Sequence, residues 1–380
     1  MAIDYTDFPS PCFVLDETRL RANLEQLDFI QRESGATILC ALKGFAFFHS
    51  FPLVRRYLTG VTASSLHEAQ LGQQEFRGQV HTYCPAYLPH DFPQLSKIAS
   101  HLTFNSLSEF ERYQAVLQPH NSAGLRINPE YAEVETALYN PCMPGSRLGV
   151  TAKQLRDVGL PGAIEGLHLH SLCEQGADTL ERTIEVMESR FAPFLDQIRW
   201  INLGGGHAIT RNGYDQRHLI AQLRALRARH PNLEQVLLEP GSAVGWQCGE
   251  LVSRVLDIVR NADTHTAMLD VSFAAHMPDC LEMPYQPELL GASTTPLPSA
   301  AYRYHLGGQS CLAGDFIADY YFERPLKVGD PVIFEDMMHY TMVKTTTFNG
   351  IALPSIAVIR EDGSHEVLSQ FSYDDYKRRI

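Results

Sequence analysis

The chain has no CxxC pair. Its eight cysteines, Cys12, Cys40, Cys84, Cys142, Cys173, Cys248, Cys280 and Cys311, are spread along 380 residues. That spacing excludes a disulfide scaffold and a zinc module and predicts reduced thiols. Runs of basic charge are also missing. The longest is the tail Lys377-Arg378-Arg379, and 31 Lys and Arg stand against 44 Asp and Glu, a net charge of −13. Nucleic acid is a poor partner for such a surface, whereas a cationic small molecule suits it. No apolar run approaches the roughly 20 residues of a membrane helix. The opening Met1-Ala2-Ile3-Asp4-Tyr5 lacks the basic and apolar regions of a signal peptide. The expectation is a soluble, cytoplasmic protein with no membrane contact. Repeats and low-complexity linkers are absent too. Hydrophobic residues at 44% and charged residues at 20% supply a large core and exclude disordered, collagen-like and coiled-coil classes.

What the chain does contain is alternation. Short apolar runs at Ala36–Lys43, Gly60–Ser65, Gln79–Cys84 and His101–Asn105 read as strands. Ala123–Asn128, Ile164–His170, Trp200–Gly205 and Val236–Glu239 continue the series. Near-continuous apolar strands are those of a parallel sheet covered on both faces. Helical segments lie between them, among them His67–Gln74, opened by Ser65-Leu66-His67-Glu68 as a capping box, Leu180–Leu195 and Leu219–Arg229. Eight strands alternating with helices over roughly 210 residues predict an α/β fold, a closed (β/α)8 TIM barrel. An open doubly wound sheet is the alternative.

Past Gly245 the texture changes. Leu251–Val259, Thr264–Val271, Ala301–Gly307, Pro331–Phe334 and Ile351–Arg360 are β-rich, divided by turns such as Lys327-Val328-Gly329-Asp330-Pro331. They predict a second, C-terminal antiparallel β domain. Cys12–Asp16 is also strand-like and is expected to pair with it. The predicted organisation is an N-terminal segment over 1–30, a barrel over 31–245 and the β domain over 246–380.

Functional groups of a barrel enzyme belong at the C-terminal ends of its strands. Four features fall there. Lys43 ends the first strand, where a low-dielectric pocket lowers an amine's pKa and makes it a nucleophile. Gly204-Gly205-Gly206 follows the seventh, and consecutive glycines let backbone N–H groups converge on a phosphate. Glu239-Pro240-Gly241 ends the eighth, where the carboxylate can hold a proton on a heteroaromatic nitrogen and Gly241 can add an amide. His168 and His170 end the sixth; as alternate residues they share a face, so they can bind a metal or present one ring to a ligand. No third metal ligand stands at a readable spacing. Each feature also has a plain structural reading: a lysine reaching water, a tight turn, a strand-ending Pro-Gly, a hydrogen-bonded histidine. Lysine, phosphate loop, carboxylate and flat imidazole together specify pyridoxal 5′-phosphate, with no metal.

At this point the chain resembles the fold type III pyridoxal-phosphate decarboxylases, a barrel-plus-β-domain family. The resemblance rests on Ala41-Leu42-Lys43, Gly166-Leu167-His168-Leu169-His170, Leu203-Gly204-Gly205-Gly206 and Leu238-Glu239-Pro240-Gly241. Cys311-Leu312-Ala313-Gly314-Asp315, His339-Tyr340-Thr341 and Phe348-Asn349-Gly350 extend it. It implies that Lys43 is the Schiff-base lysine, Glu239 the partner of the ring nitrogen and His170 the residue stacked on the cofactor. Gly204, Gly205, Gly206 and Gly241 would cradle the phosphate with Tyr340. Cys311 would protonate the carbanion carbon after CO2 leaves, and Asp315 would meet the substrate's distal amine. Glu239, Asp270 and His276 are further expected substrate contacts, with a strand-end role the alternative for Asp270. The resemblance also implies a homodimer with two shared active sites.

Departures narrow the choice. Ornithine and diaminopimelate decarboxylases usually carry Arg after Glu-Pro-Gly, where this chain has Ser242. Ala41-Leu42-Lys43-Gly44-Phe45, Leu172-Cys173-Glu174 and Glu239-Pro240-Gly241-Ser242-Ala243 look like the carboxynorspermidine/carboxyspermidine decarboxylase branch. That implies decarboxylation of a polycationic amino acid in polyamine biosynthesis. Another basic amino-acid decarboxylase and an amino-acid racemase are the alternatives.

Overall fold

The structure is a computed structural model describing residues 3–296 and 302–380. Two compact units emerge: one comprises the chain up to Leu20 together with Gly245–Ile380, the other Arg21–Val244. The first division thus falls after Leu20, within the helix Glu17–Ser34, rather than after residue 30. That helix was not anticipated, although Leu20, Leu24, Leu27 and Ile30, all fully buried, have helical spacing.

In the Arg21–Val244 unit, strands Gly60–Ala63, Gln79–Tyr83, His101–Phe104, Ser122–Asn128, Ile164–Leu169, Trp200–Asn202 and Gln235–Leu238 pair in sequence, all parallel. The first barrel strand comes in two pieces. Thr37–Ile38 pairs with the eighth strand and Cys40–Ala41 with the second, so the ring closes around Leu39. Leu39 donates its N–H to Leu238 O at 2.8 Å. The eight-stranded barrel is as the alternation predicts. The helices carry local start signals. Ser106 accepts the Glu109 N–H, and Thr151 and Gln154 form a reciprocal capping box. The box expected at Ser65 is only half made: Ser65 Oγ accepts the Glu68 N–H, but the Glu68 carboxylate accepts from Ser64 N at 2.6 Å.

The other unit holds the second sheet, ordered Ala292–Ser293, Phe316–Phe322, Tyr302–Gly307, Thr264–Leu269, Gly249–Asn261, Cys12–Asp16, Ser355–Ile359, His365–Ser369, with Pro331–Phe334 also on Gly249–Asn261. Cys12–Asp16 is fully buried in its middle. The sheet is mixed, which corrects the expectation of an antiparallel one. Cys12–Asp16 runs parallel to Ser355–Ile359, and Thr264–Leu269 parallel to Tyr302–Gly307. These partners are far apart in sequence, so no hairpin turn dictates their direction. The strand expected from Ile351 starts only at Ser355, past Pro354, which cannot donate to a ladder. Of the strand expected at Ala301–Gly307, Ala301 lies outside the described residues, as do Met1 and Ala2 of the N-terminal segment.

Candidate active site

The barrel's strand ends bring Lys43, His168, His170, Gly204–Gly206, Glu239 and Gly241 into one region. The first strand stops in a turn, with the N–H groups of Gly44 and Phe45 both donating to Ala41 O at 2.9 and 3.0 Å. This turn presents Lys43, which is half-buried. Burial pushes its amine pKa down; nearby Glu239 opposes that, and the Arg126 guanidinium adds to it. A lysine with a depressed pKa is a nucleophilic amine.

Glu239 leaves the eighth strand buried, its N–H donating to Gly204 O at 2.9 Å. Its Oε1 lies 3.0 Å from His168 Nε2, and its Oε2 accepts from Asn202 Nδ2 at 3.1 Å. Burial favours the neutral acid, but the histidines His168 and His170 outweigh it and hold the carboxyl well below its ordinary range. Glu239 is therefore a buried carboxylate in its charged form.

His170 is fixed from both sides. Its Nδ1 accepts the Gly205 N–H at 3.1 Å, which assigns the remaining proton to Nε2, and its carbonyl accepts from Arg126 at 3.0 Å. Arg126 is itself held over the Tyr83 ring, 4.7 Å from the centroid. Burial pushes His170 well below the usual imidazole range, with Lys43 adding to the effect. His168, His170 and Glu239 converge so that their donor atoms lie within 4.8 Å of one another. Glu239 is the third member that sequence spacing could not supply. Among these groups, Glu239 accepts from Asn202 and His170 accepts from the Gly205 backbone.

The glycine loop is a place without room for side chains. Gly204 and Gly206 take φ values of 71° and 82°. A Cβ on Gly204 would lie 2.5 Å from Leu169 O, and one on Gly205 or Gly206 would strike Glu239 O or Leu172 O. Gly44 and Gly241 lie as close, since a Cβ on Gly44 would come 2.6 Å from the Gly241 backbone. Asn202 and Arg126, which tie these pieces together, carried no motif signal; only their place at strand ends could have drawn attention to them.

The remaining expected residues lie in the second unit. Cys311 is an exposed free thiol whose N–H donates to Asn349 Oδ1 at 2.8 Å, so the Phe348-Asn349-Gly350 motif anchors the cysteine loop. Tyr340 has φ 48° and ψ −57°, a strained backbone for a bulky residue and of the kind found at ligand clamps.

Three of the expected substrate contacts are bonded to neighbouring backbone N–H groups. Asp315, only 4% exposed, accepts Ala274 N–H on Oδ1 and Ser310 N–H on Oδ2, both at 2.9 Å. Its carboxylate braces the Cys311 loop. Asp270 accepts Arg254 N–H at 2.8 Å beside the irregularity between Val255 and Asp257. It therefore fills the strand-end role. His276 is fully buried and accepts Ser272 N–H at 3.3 Å, and burial pushes its pKa down to about 4. It is a structural histidine of the turn around Phe273.

The barrel residues fit pyridoxal 5′-phosphate: a low-pKa lysine, a buried carboxylate, a fixed imidazole, and a backbone loop where no side chain fits. Comparisons with known proteins agree. The family model described as "Pyridoxal-dependent decarboxylase, C-terminal sheet domain" matches residues 12–338. The carboxyaminopropylagmatine decarboxylase of Synechocystis sp. is 51% identical over 99% of this chain and 96% of its own. The carboxynorspermidine/carboxyspermidine decarboxylase of Campylobacter jejuni is 42% identical over 99% of both. A crystal structure of carboxynorspermidine decarboxylase complexed with norspermidine, also from Campylobacter jejuni, has a TM-score of 0.91 at 41% identity, covering 98% of this chain and 100% of that one. The chain belongs to the pyridoxal-dependent decarboxylases, with pyridoxal 5′-phosphate as its cofactor.

Proposed function

We propose that the chain removes the α-carboxylate of carboxynorspermidine or carboxyspermidine, releasing CO2 and norspermidine or spermidine. The supporting observation is full-length similarity, at 42% identity, to a relative named for that reaction. The net charge of −13 suits a polycationic substrate. A second reading is favoured by the higher identity, 51%, to a carboxyaminopropylagmatine decarboxylase. Its substrate ends in a guanidinium where the triamines end in an ammonium, and planar bidentate recognition distinguishes the two.

When bound, pyridoxal 5′-phosphate supplies an electron sink for the pair left as the carboxylate departs. Lys43 would offer the amine that holds the cofactor. Glu239 would hold a proton on its ring nitrogen, and His170 would cover one ring face. The amides of Gly204–Gly206 and Gly241 would hold the phosphate, and the family resemblance adds Tyr340 to them. Cys311 delivers the proton from its Sγ to the substrate's α-carbon. The exposed Cys311 loop reaches the active site of a second copy, making a cytoplasmic homodimer with two shared sites.

Product analysis with carboxynorspermidine, carboxyspermidine, carboxyaminopropylagmatine, ornithine and diaminopimelate side by side tests the reading. A preference for carboxyaminopropylagmatine selects the second; a preference for ornithine or diaminopimelate rejects both.

A further inference from the structure

His168 is a buried imidazole, 1% exposed, and its use is not explained by the cofactor roles above. The sixth and seventh strands pair in register, with His168 opposite Asn202, so the two side chains stand next to each other on one face of the barrel wall. Asn202 in turn pairs with Leu237 of the eighth strand, and Glu239 lies two residues on, on the same face. Three adjacent parallel strands thus bring an amide and an imidazole to one carboxylate.

The Asn202 amide has only one possible orientation. Its Oδ1 accepts the Gly204 N–H at 2.8 Å, so its NH2 must point to Glu239 Oε2, 3.1 Å away. His168 Nε2 is 3.0 Å from Glu239 Oε1. The edge-on Tyr83 ring at 5.2 Å keeps the imidazole plane in place, and Tyr83 is anchored through its hydroxyl to Asn105 at 2.9 Å. Burial pushes the His168 pKa down, and nearby Glu239 opposes that.

We infer that His168 and Asn202 are positioning residues that grip the two oxygens of Glu239, fix its orientation, and through it keep the cofactor's ring nitrogen protonated. The inference rests on reading Glu239 as the partner of that nitrogen. Asn202 has a second consequence: because its other end holds Gly204, the grip on the carboxylate and the shape of the phosphate loop are set by one side chain.

The test is the 15N chemical shift of the ring nitrogen across pH, in holoenzyme loaded with 15N-labelled pyridoxal 5′-phosphate. Glu239→Gln is the benchmark and should move the resonance to the unprotonated position. His168→Phe and Asn202→Leu should each move the nitrogen's titration toward lower pH and cut kcat by about tenfold with KM nearly unchanged. His168→Gln, which keeps a side-chain N–H, should restore most of the wild-type profile. Should His168→Phe fail to fold, Asn202→Ser, too short to reach the carboxylate, should show the same displacement. If Glu239→Gln moves the resonance and neither Asn202 nor His168 variants do, the grip is refuted while the role of Glu239 stands. If Glu239→Gln leaves it unmoved, the reading of Glu239 falls and the inference with it.

Discussion

Gly44 and Gly241 meet backbone against backbone: a Cβ on Gly44 would stand 2.6 Å from the Cα, carbonyl carbon and oxygen of Gly241. The turn that presents Lys43 and the loop that follows Glu239 are therefore one mechanical piece. A methyl group at residue 44 must push the two apart, because backbone atoms cannot rotate out of its way.

Gly44→Ala should therefore weaken cofactor binding by tenfold or more, about 1.4 kcal/mol, measured by titrating the apoenzyme with pyridoxal 5′-phosphate. Gly162→Ala, where a Cβ would meet nothing within 4 Å, should bind normally. Equal affinities in the two variants would remove the contact from the argument.

Lys43→Ala should abolish the visible absorbance of the lysine-bound cofactor and reduce turnover to background. An unchanged spectrum would take Lys43 out of the site.

Cys311→Ala should leave the cofactor spectrum intact while lowering kcat about 100-fold or diverting the proton to the wrong atom. Product analysis separates these outcomes from normal turnover, which would refute its role as proton donor. Because Cys311 is exposed and only its N–H is anchored, by Asn349, folding should be unaffected.

Asp315→Ala separates bracing of the Cys311 loop from contact with a substrate amine. Losing a buried carboxylate that accepts two backbone N–H groups should lower stability by about 2–4 kcal/mol, read by chemical denaturation. If Asp315 instead bound the distal amine, KM would rise with stability unchanged.

Acid sensitivity follows from the barrel's base. His81 and His101 stack at 3.9 Å and 11°, and the indole of Trp200 meets His101 edge-on at 5.2 Å. Burial pushes His81 well below the usual imidazole range, with neighbouring His101 adding to it. Burial also brings His101 down to about 4, against opposition from Glu165 and Gln235. With folded-state pKa values below the unfolded 6.5, both histidines favour folding fully at neutral pH. That advantage is lost as pH falls from about 6.5 toward 4, because only the unfolded chain takes up the protons. His101→Phe should flatten the fall in unfolding free energy over this range by up to about 3 kcal/mol; an unchanged slope would rule His101 out.

How far the sequence reaches depends on how local the signal is. Gly60–Ala63 and Gln79–Tyr83 were legible as strands because their apolar runs are short and punctuated. The C-terminal strand ends then located Lys43, His170, the glycine loop and Glu239. Cys12–Asp16 was legible as a strand beside the second domain, but its parallel partner Ser355–Ile359 was not. Asp315 shows the opposite limit: its motif position did not reveal its bonds to Ala274 and Ser310. The cue missed was Gly308, where a Cβ would lie 2.5 Å from the Asp315 carboxylate.

By itself the sequence determined the alternation that closes a barrel, and the order of residue types along it that calls for pyridoxal phosphate. Both are encoded locally, in side-chain periodicity and in glycines that leave the backbone bare. Tertiary structure alone decided that Asn202 donates to Glu239, since it is 37 residues away and meets it only through strand register. It also decided that the two glycines beside Lys43 and Glu239 touch. Such contacts depend on how separate strands are brought side by side, and no local pattern records that.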